Sequence, residues 1–231
     1  MKRMKLILVL VFLTWTTGIF AQNEMKETIT MIKTNLANSK QQVKQYSWLE
    51  TTTTYIKGEL KNTRQNQCYY SVDGKLTKVA TGATDQTKTP GGIRGKIIAN
   101  KKEDMADYIA KAVDKIQAYL PPDGERLQQI YGGGTMAVQI LDPGKKFKLS
   151  FPDYLQKGDL LSISMDKANQ KLMAISVKTY IDDPSQEVIF DVTYNNLPDG
   201  TQFISVTSLT AQAKDLKLVV ENSGYRKGAG Q

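Results

Sequence analysis

The 231-residue sequence contains no histidine and only one cysteine, Cys68. The first absence removes the imidazole that usually activates Ser and Cys nucleophiles, and also the commonest metal ligand. The second rules out an internal disulfide and any thiolate-rich metal site. Cys68 could act as a nucleophile only with an activating base beside it. Its alternation with Tyr70 and Val72 instead predicts a thiol hidden on one strand face, behaving as a small apolar residue. A phosphate-binding loop is missing too, because Gly91, Gly92 and Gly95 around Arg94 and Lys96 lack the required spacing. Carboxylates remain, but Asp182 and Asp183 precede Pro184 and read as a turn. No local pattern gathers Asp153, Asp159, Asp166 and Asp191. Neither catalytic residues, nor metal ligands, nor a cofactor are expected, and the chain reads as a non-enzyme.

Long apolar runs are scarce as well. The N-terminal stretch Leu6 to Trp15 is broken by Thr14 and followed by Thr16, Thr17 and Gly18, which is too little for a permanent membrane span. Lys2, Arg3 and Lys5 precede it and Gly18-Ile19-Phe20-Ala21 follows, so residues 1–21 read as a signal peptide. No cysteine stands at the cleavage point to carry a lipid anchor. The expected product is a soluble periplasmic or secreted monomer with one domain over residues 22–227 and a frayed tail at 228–231. Part of the formal charge of +8 lies in the three signal-peptide cations, which leaves a mildly basic mature chain. Lysines scattered along an exported chain read as solubilising surface, and no nucleic-acid partner is expected.

Among the segments present, Asn100 to Leu120 has the most definite pattern. At helical spacing, Met105, Tyr108, Ile109, Ala112, Val113, Ile116, Tyr119 and Leu120 share one face. Asp104, Asp107, Lys111, Asp114 and Lys115 share the other. Asn100 with Glu103 is expected to cap this helix, and Pro121-Pro122 to stop it. A first amphipathic helix is expected over Asn23 to Tyr46, and a short third one capped by Asp123 and ended by Gly132-Gly133-Gly134.

The remainder reads as strands. About three precede the long helix: Trp48 to Leu60, then Gln67 to Val72 and Lys75 to Val79 around Asp73-Gly74. About seven follow the helices. Phe147, Leu149 and Phe151 alternate, as do Leu161, Ile163 and Met165, and Met173, Ile175 and Val177. Val188, Phe190, Val192 and Tyr194 alternate most cleanly, and Leu216, Leu218 and Val220 end the series. So many strands cannot remain flat. The expected fold is α+β: a curved antiparallel half-barrel of about 9–11 strands wrapping two to three helices.

This order of elements resembles the lipoprotein-carrier fold of periplasmic LolA-like proteins. The resemblance implies a curved sheet around an apolar cavity that accepts acyl chains. Arg94 to Ile98, Leu197 to Thr201 and Asn222 to Arg226 also look like segments of a group of uncharacterised exported bacterial proteins, which implies no activity. The function expected is a carrier holding a lipid or other apolar ligand between helix and sheet. Met105, Ile109, Val113, Ile116, Phe190 and Val192 are the candidate lining, and Arg94 is a candidate anionic contact. The alternative is a non-catalytic structural or interaction protein of the cell envelope, with a filled core and a protein partner.

Overall fold

The computed structural model describes residues 16–81 and 92–228. Three α-helices and ten β-strands lie within them: α1 (Thr16–Val43), β1 (Tyr46–Ile56), β2 (Glu59–Tyr70), β3 (Leu76–Ala80), α2 (Gly92–Gln117), α3 (Gly124–Gly132), β4 (Ala137–Asp142), β5 (Lys146–Pro152), β6 (Leu160–Asp166), β7 (Lys171–Tyr180), β8 (Glu187–Asn196), β9 (Gln202–Ala211) and β10 (Leu216–Lys227). The strands form one open sheet in the order β3-β2-β1-β10-β9-β8-β7-β6-β5-β4, antiparallel throughout. Its two edges, β3 and β4, are joined in sequence by α2 and α3. That connection has to travel from one margin of the sheet to the other. A ten-stranded sheet measures about 45 Å across, and 26 residues of helix reach about 39 Å. The long helix supplies most of that span and packs its apolar side on the inner face of the curved sheet.

The packing follows the amphipathic pattern. Tyr108, Ala112, Ile116 and Tyr119 are buried, whereas Asp104, Asp107, Lys111 and Asp114 are exposed; Lys115, expected with them, is half-buried because its ammonium donates to the Gln156 side chain. The helix residues join Leu149, Phe151, Leu161, Met165, Val177 and Leu216 in one core. Each such side chain withdrawn from water contributes about 1.5–3 kcal/mol before the entropic cost of ordering it. Helix α3 begins where its cap predicts. The Asp123 carboxylate accepts from the backbone N–H groups of Glu125 and Arg126, and the chain leaves the helix at Gly133.

Several expectations are corrected. Helix α2 begins at Gly92, so Asn100 is an interior residue and not its cap. Ile93, Ile97 and Ile98 extend the apolar spacing upstream, and that continuity outweighs a capping preference of about 1 kcal/mol. Helix α1 runs from Thr16 to Val43, not from Asn23 to Tyr46, and Tyr46 already belongs to β1. The strand predicted from Trp48 to Leu60 is cut by a two-residue turn at Lys57 and Gly58, both at positive φ. Strand β2 ends at Tyr70, so Val72 is not on its buried face but almost fully exposed in the turn. On β7 the inward residue is Leu172, not Met173. A register shift against β6 pairs Met165 with Leu172 and Ser164 with Ala174, leaving Met173 unpaired. Most of the expected signal segment, residues 1–15, lies outside the described residues, as do residues 82–91 and 229–231.

The C-terminal half of α1 is tied to the β8–β9 turn. Thr201 Oγ1 donates to Gln42 Oε1 at 3.1 Å, and the Gln202 backbone N–H donates to Ser39 Oγ at 3.0 Å. Just beyond the helix, Tyr46 Oη donates to Asp199 Oδ2 at 2.5 Å. That hydrogen bond, aided by the Thr201 amide, holds the Asp199 carboxyl down to about 2. A carboxyl depressed in the folded state stabilises fully above its unfolded value and loses that contribution as it is protonated. Tyr46→Phe should therefore lower stability at neutral pH. It should also flatten the acid limb of the stability profile between about pH 4 and about pH 2. Urea titrations across that range would show it, and an unchanged slope would remove the pair from the account of acid unfolding.

Candidate functional site

The end of the long helix does not seal against the sheet. A half-open cavity of about 270 Å³ remains between them. From the helical side it is lined by Val113, Ile116 and Gln117, with Leu120 from the turn that follows. From the sheet come Phe190 of β8, Thr207 and Leu209 of β9, and Leu218 and Val220 of β10. Register explains why these five converge. Phe190 pairs with Leu209 and Leu209 with Leu218, while Thr207 pairs with Val220. Directly paired residues of an antiparallel sheet point to the same face. Only Gln117 and Thr207 bring polar atoms, so the interior is almost wholly hydrocarbon. Val113, though apolar, is 39% exposed, because it sits at the mouth.

Of the lining predicted from sequence, Val113, Ile116 and Phe190 surround this cavity. Met105 and Ile109 lie further up the helix, half-buried against the main core. Val192 is buried and pairs with the lining residue Thr207, two residues along β8 from Phe190. Two residues beyond it, burial pushes the Tyr194 phenol up to about 12, which fits the apolar character of the inner face. Arg94 falls in the first turn of α2, and its side chain lies outside the described residues. The sequence reading missed Leu120 as a lining residue, and Leu209, Leu218 and Val220 too. The alternation of β10 was visible, but only register places it beside β9 and Phe190.

Next to the cavity the helix end is fixed by buried polar groups. Asp159, in the turn leading into β6, accepts from the Tyr119 hydroxyl at 2.7 Å. It also accepts from the backbone N–H groups of Tyr154, Leu155 and Gln156 at 2.5, 2.9 and 2.9 Å. The Tyr119 hydroxyl lies 2.8 Å from Thr179 Oγ1, which in turn accepts from the Gln156 amide. Lys115 Nζ donates to the same Gln156 side chain. Burial raises the Tyr119 phenol well above its usual range, so it stays protonated and donates. Tyr154 Oη accepts from the Asp123 backbone N–H, and Arg126 Nε donates to the Tyr154 carbonyl, which joins α3 to the same loop. This arrangement positions the helix end, and with it Val113, Ile116 and Leu120.

Asp153 shares the loop of Asp159, its backbone N–H donating to the Asp159 carbonyl, whereas Asp166 and Asp191 make their hydrogen bonds elsewhere. Asp153 binds the Gly158 N–H, Asp166 binds Asn169, and Asp191 accepts from Ser176 across β7 and β8. Among the described residues, no group of three or more His, Cys, Asp or Glu side chains is placed to hold a metal ion. No described helix is long and apolar enough to cross a membrane.

No protein-family model matches this sequence, and no curated protein does. Among solved structures, a DUF1329 family protein from Desulfovibrio piger is similar, at 10% identity and a TM-score of 0.35. The match covers 87% of this chain and 94% of that one. A likeness at that level carries no argument about function.

Cys68 sits away from the cavity, paired with Trp48 and fully buried. Around it are rings in contact: Trp48 stacks on Tyr225 at 5.5 Å and lies 5.9 Å from Tyr70. Burial, with the Glu50 carboxylate nearby, pushes the thiol up. Native protein should thus resist a thiol reagent such as Ellman's reagent at pH 8 and react stoichiometrically only in denaturant. Rapid labelling of the native chain would show this end of the sheet to be open.

Proposed function

We propose that this protein is an exported carrier or binding protein that holds a lipid or other apolar ligand between α2 and strands β8 to β10. The observation that supports this most is the hydrocarbon-lined cavity of about 270 Å³ at the helix end. Small-molecule sites are concave, mostly apolar and about 300–1,000 Å³ in volume, so this one suits a slender ligand or part of a larger one. The curved sheet wrapping a helix also keeps the resemblance to LolA-like carriers in play as a reading of the architecture. Export follows from the N-terminal sequence pattern. Native mass spectrometry and lipid extraction of the protein purified from its own periplasm test both parts. Co-purified apolar ligand is the expected result; protein that is reproducibly empty, or found in the cytoplasm, would overturn the reading.

A second reading, a non-catalytic interaction protein of the envelope, is favoured by the edge strand β4. Val138, Ile140 and Leu141 there are 51%, 61% and 45% exposed, on a margin with no further partner strand among the described residues. Crosslinking in intact cells separates the two readings. A carrier gives transient adducts, and a scaffold gives one stable partner.

A further inference from the structure

The sheet face that floors the cavity continues past β10 onto a surface of different character. Two cross-strand rows pass through that floor. The first runs Phe190, Leu209, Leu218, Thr54, Asn62, and the second Val192, Thr207, Val220, Thr52, Arg64. Paired residues share a face, so Thr52, Thr54, Asn62 and Arg64 stand on the inner face that also carries Leu218 and Val220. The change from hydrocarbon to polar groups happens within one strand step, about 5 Å, at the β10–β1 boundary. Arg64 is two steps from Val220, about 10 Å.

The charges on this polar wall are unequal. Glu50 is largely buried, and Lys78 Nζ binds its two oxygens at 2.8 and 2.6 Å. Those two cancel. Arg64 is exposed, and no acceptor among the described residues pairs with it. An apolar cavity therefore lies beside a guanidinium that has no carboxylate partner among the described residues, with hydroxyl and amide groups between them.

Resting on the apolar-ligand reading above, we infer that the ligand is a single-chain amphiphile with an anionic head. Its hydrocarbon chain enters the cavity between Val113 and Leu209, and its carboxylate or phosphate sits on Arg64. A guanidinium offers a planar fork of donors that matches either group. Thr52, Thr54 and Asn62 supply neutral hydrogen-bonding groups along the way. A volume below the usual small-molecule range favours one chain over two.

The test compares palmitate, methyl palmitate and lysophosphatidate, by displacement of a fluorescent apolar probe from the full chain. Wild type is expected to bind the anions about tenfold more tightly than the uncharged ester, the scale of one charge-assisted contact. Arg64→Gln should bring the anions down to the level of the ester, and Arg64→Lys should retain part of the preference. The ranking of palmitate against lysophosphatidate then assigns the head group as carboxylate or phosphate. Equal binding of palmitate, lysophosphatidate and ester by wild type, or a preference that survives Arg64→Gln, overturns the anionic head and leaves the apolar site standing. Wild type that binds none of the three refutes the apolar-ligand reading and this inference with it. Should Arg64→Gln fail to fold by circular dichroism, the wild-type comparison of anion with ester decides alone.

Discussion

Asp159→Ala is expected to lower the free energy of unfolding by roughly 3 kcal/mol or more. Its carboxylate gathers the Tyr119 hydroxyl and three successive backbone N–H groups in an interior where the residue is only 3% exposed. Removing it leaves those donors without an acceptor, and each buried donor so stranded costs about 1–3 kcal/mol, less whatever water recovers. Asp159→Asn should fall between wild type and alanine. Its amide keeps one acceptor oxygen but turns a donor towards donors. Chemical denaturation with the slope monitored gives the answer. A midpoint shift worth less than about 1 kcal/mol for Asp159→Ala would mean that the loop relaxes at little cost. Because the same network fixes the helix end, ligand binding should weaken in the alanine variant even where the chain stays folded.

Val113→Trp should abolish or greatly weaken apolar-ligand binding, by tenfold or more, while leaving stability near that of wild type. Val113 is at the mouth of the cavity, and a side chain growing from it extends into space that is already empty. Tryptophan and valine have similar helix propensities, so the backbone pays little for the exchange. Filling an apolar void with indole recovers dispersion contacts that the cavity walls lack. Titration with a fluorescent fatty acid and a thermal melt, run on the same preparation, separate the two effects. Lost binding with an unchanged or higher melting temperature is the expected pair of results. Undiminished binding would place the ligand elsewhere, and the wider groove between the Lys57-Gly58 turn and the Gln212–Asp215 turn would be the next place to look.

Much of the architecture could be read directly from residue order. The strand count on either side of the long helix holds at three and seven, because alternation and turn residues act locally. Asp142-Pro143-Gly144 and Asp73-Gly74 turn the chain where such residues usually do, and Asp123 caps α3 through its own carboxylate. Errors arose where two local signals competed. Asn100 has a capping side chain, but the apolar spacing continues through Ile93 and Ile97 and the helix continues with it. Lys57-Gly58 lacks the usual Asn or Asp, so the local pattern there reads as strand although the chain turns. Met173 and Leu172 are equally apolar, and only the bulge against β6 selects between them.

The sequence by itself determined the element types, the apolar side of α2 and the absence of histidine or disulfide chemistry, since each depends on residue identity or on neighbours a few positions apart. Tertiary structure alone decided that Val113 and Ile116 meet Phe190, Leu209 and Leu218, and that Arg64 shares their face. It also decided that Asp159 meets Tyr119 across 40 residues of chain. Pairing register and the curvature of the sheet set those meetings, and both emerge from the balance of the whole packed molecule, not from any stretch of it.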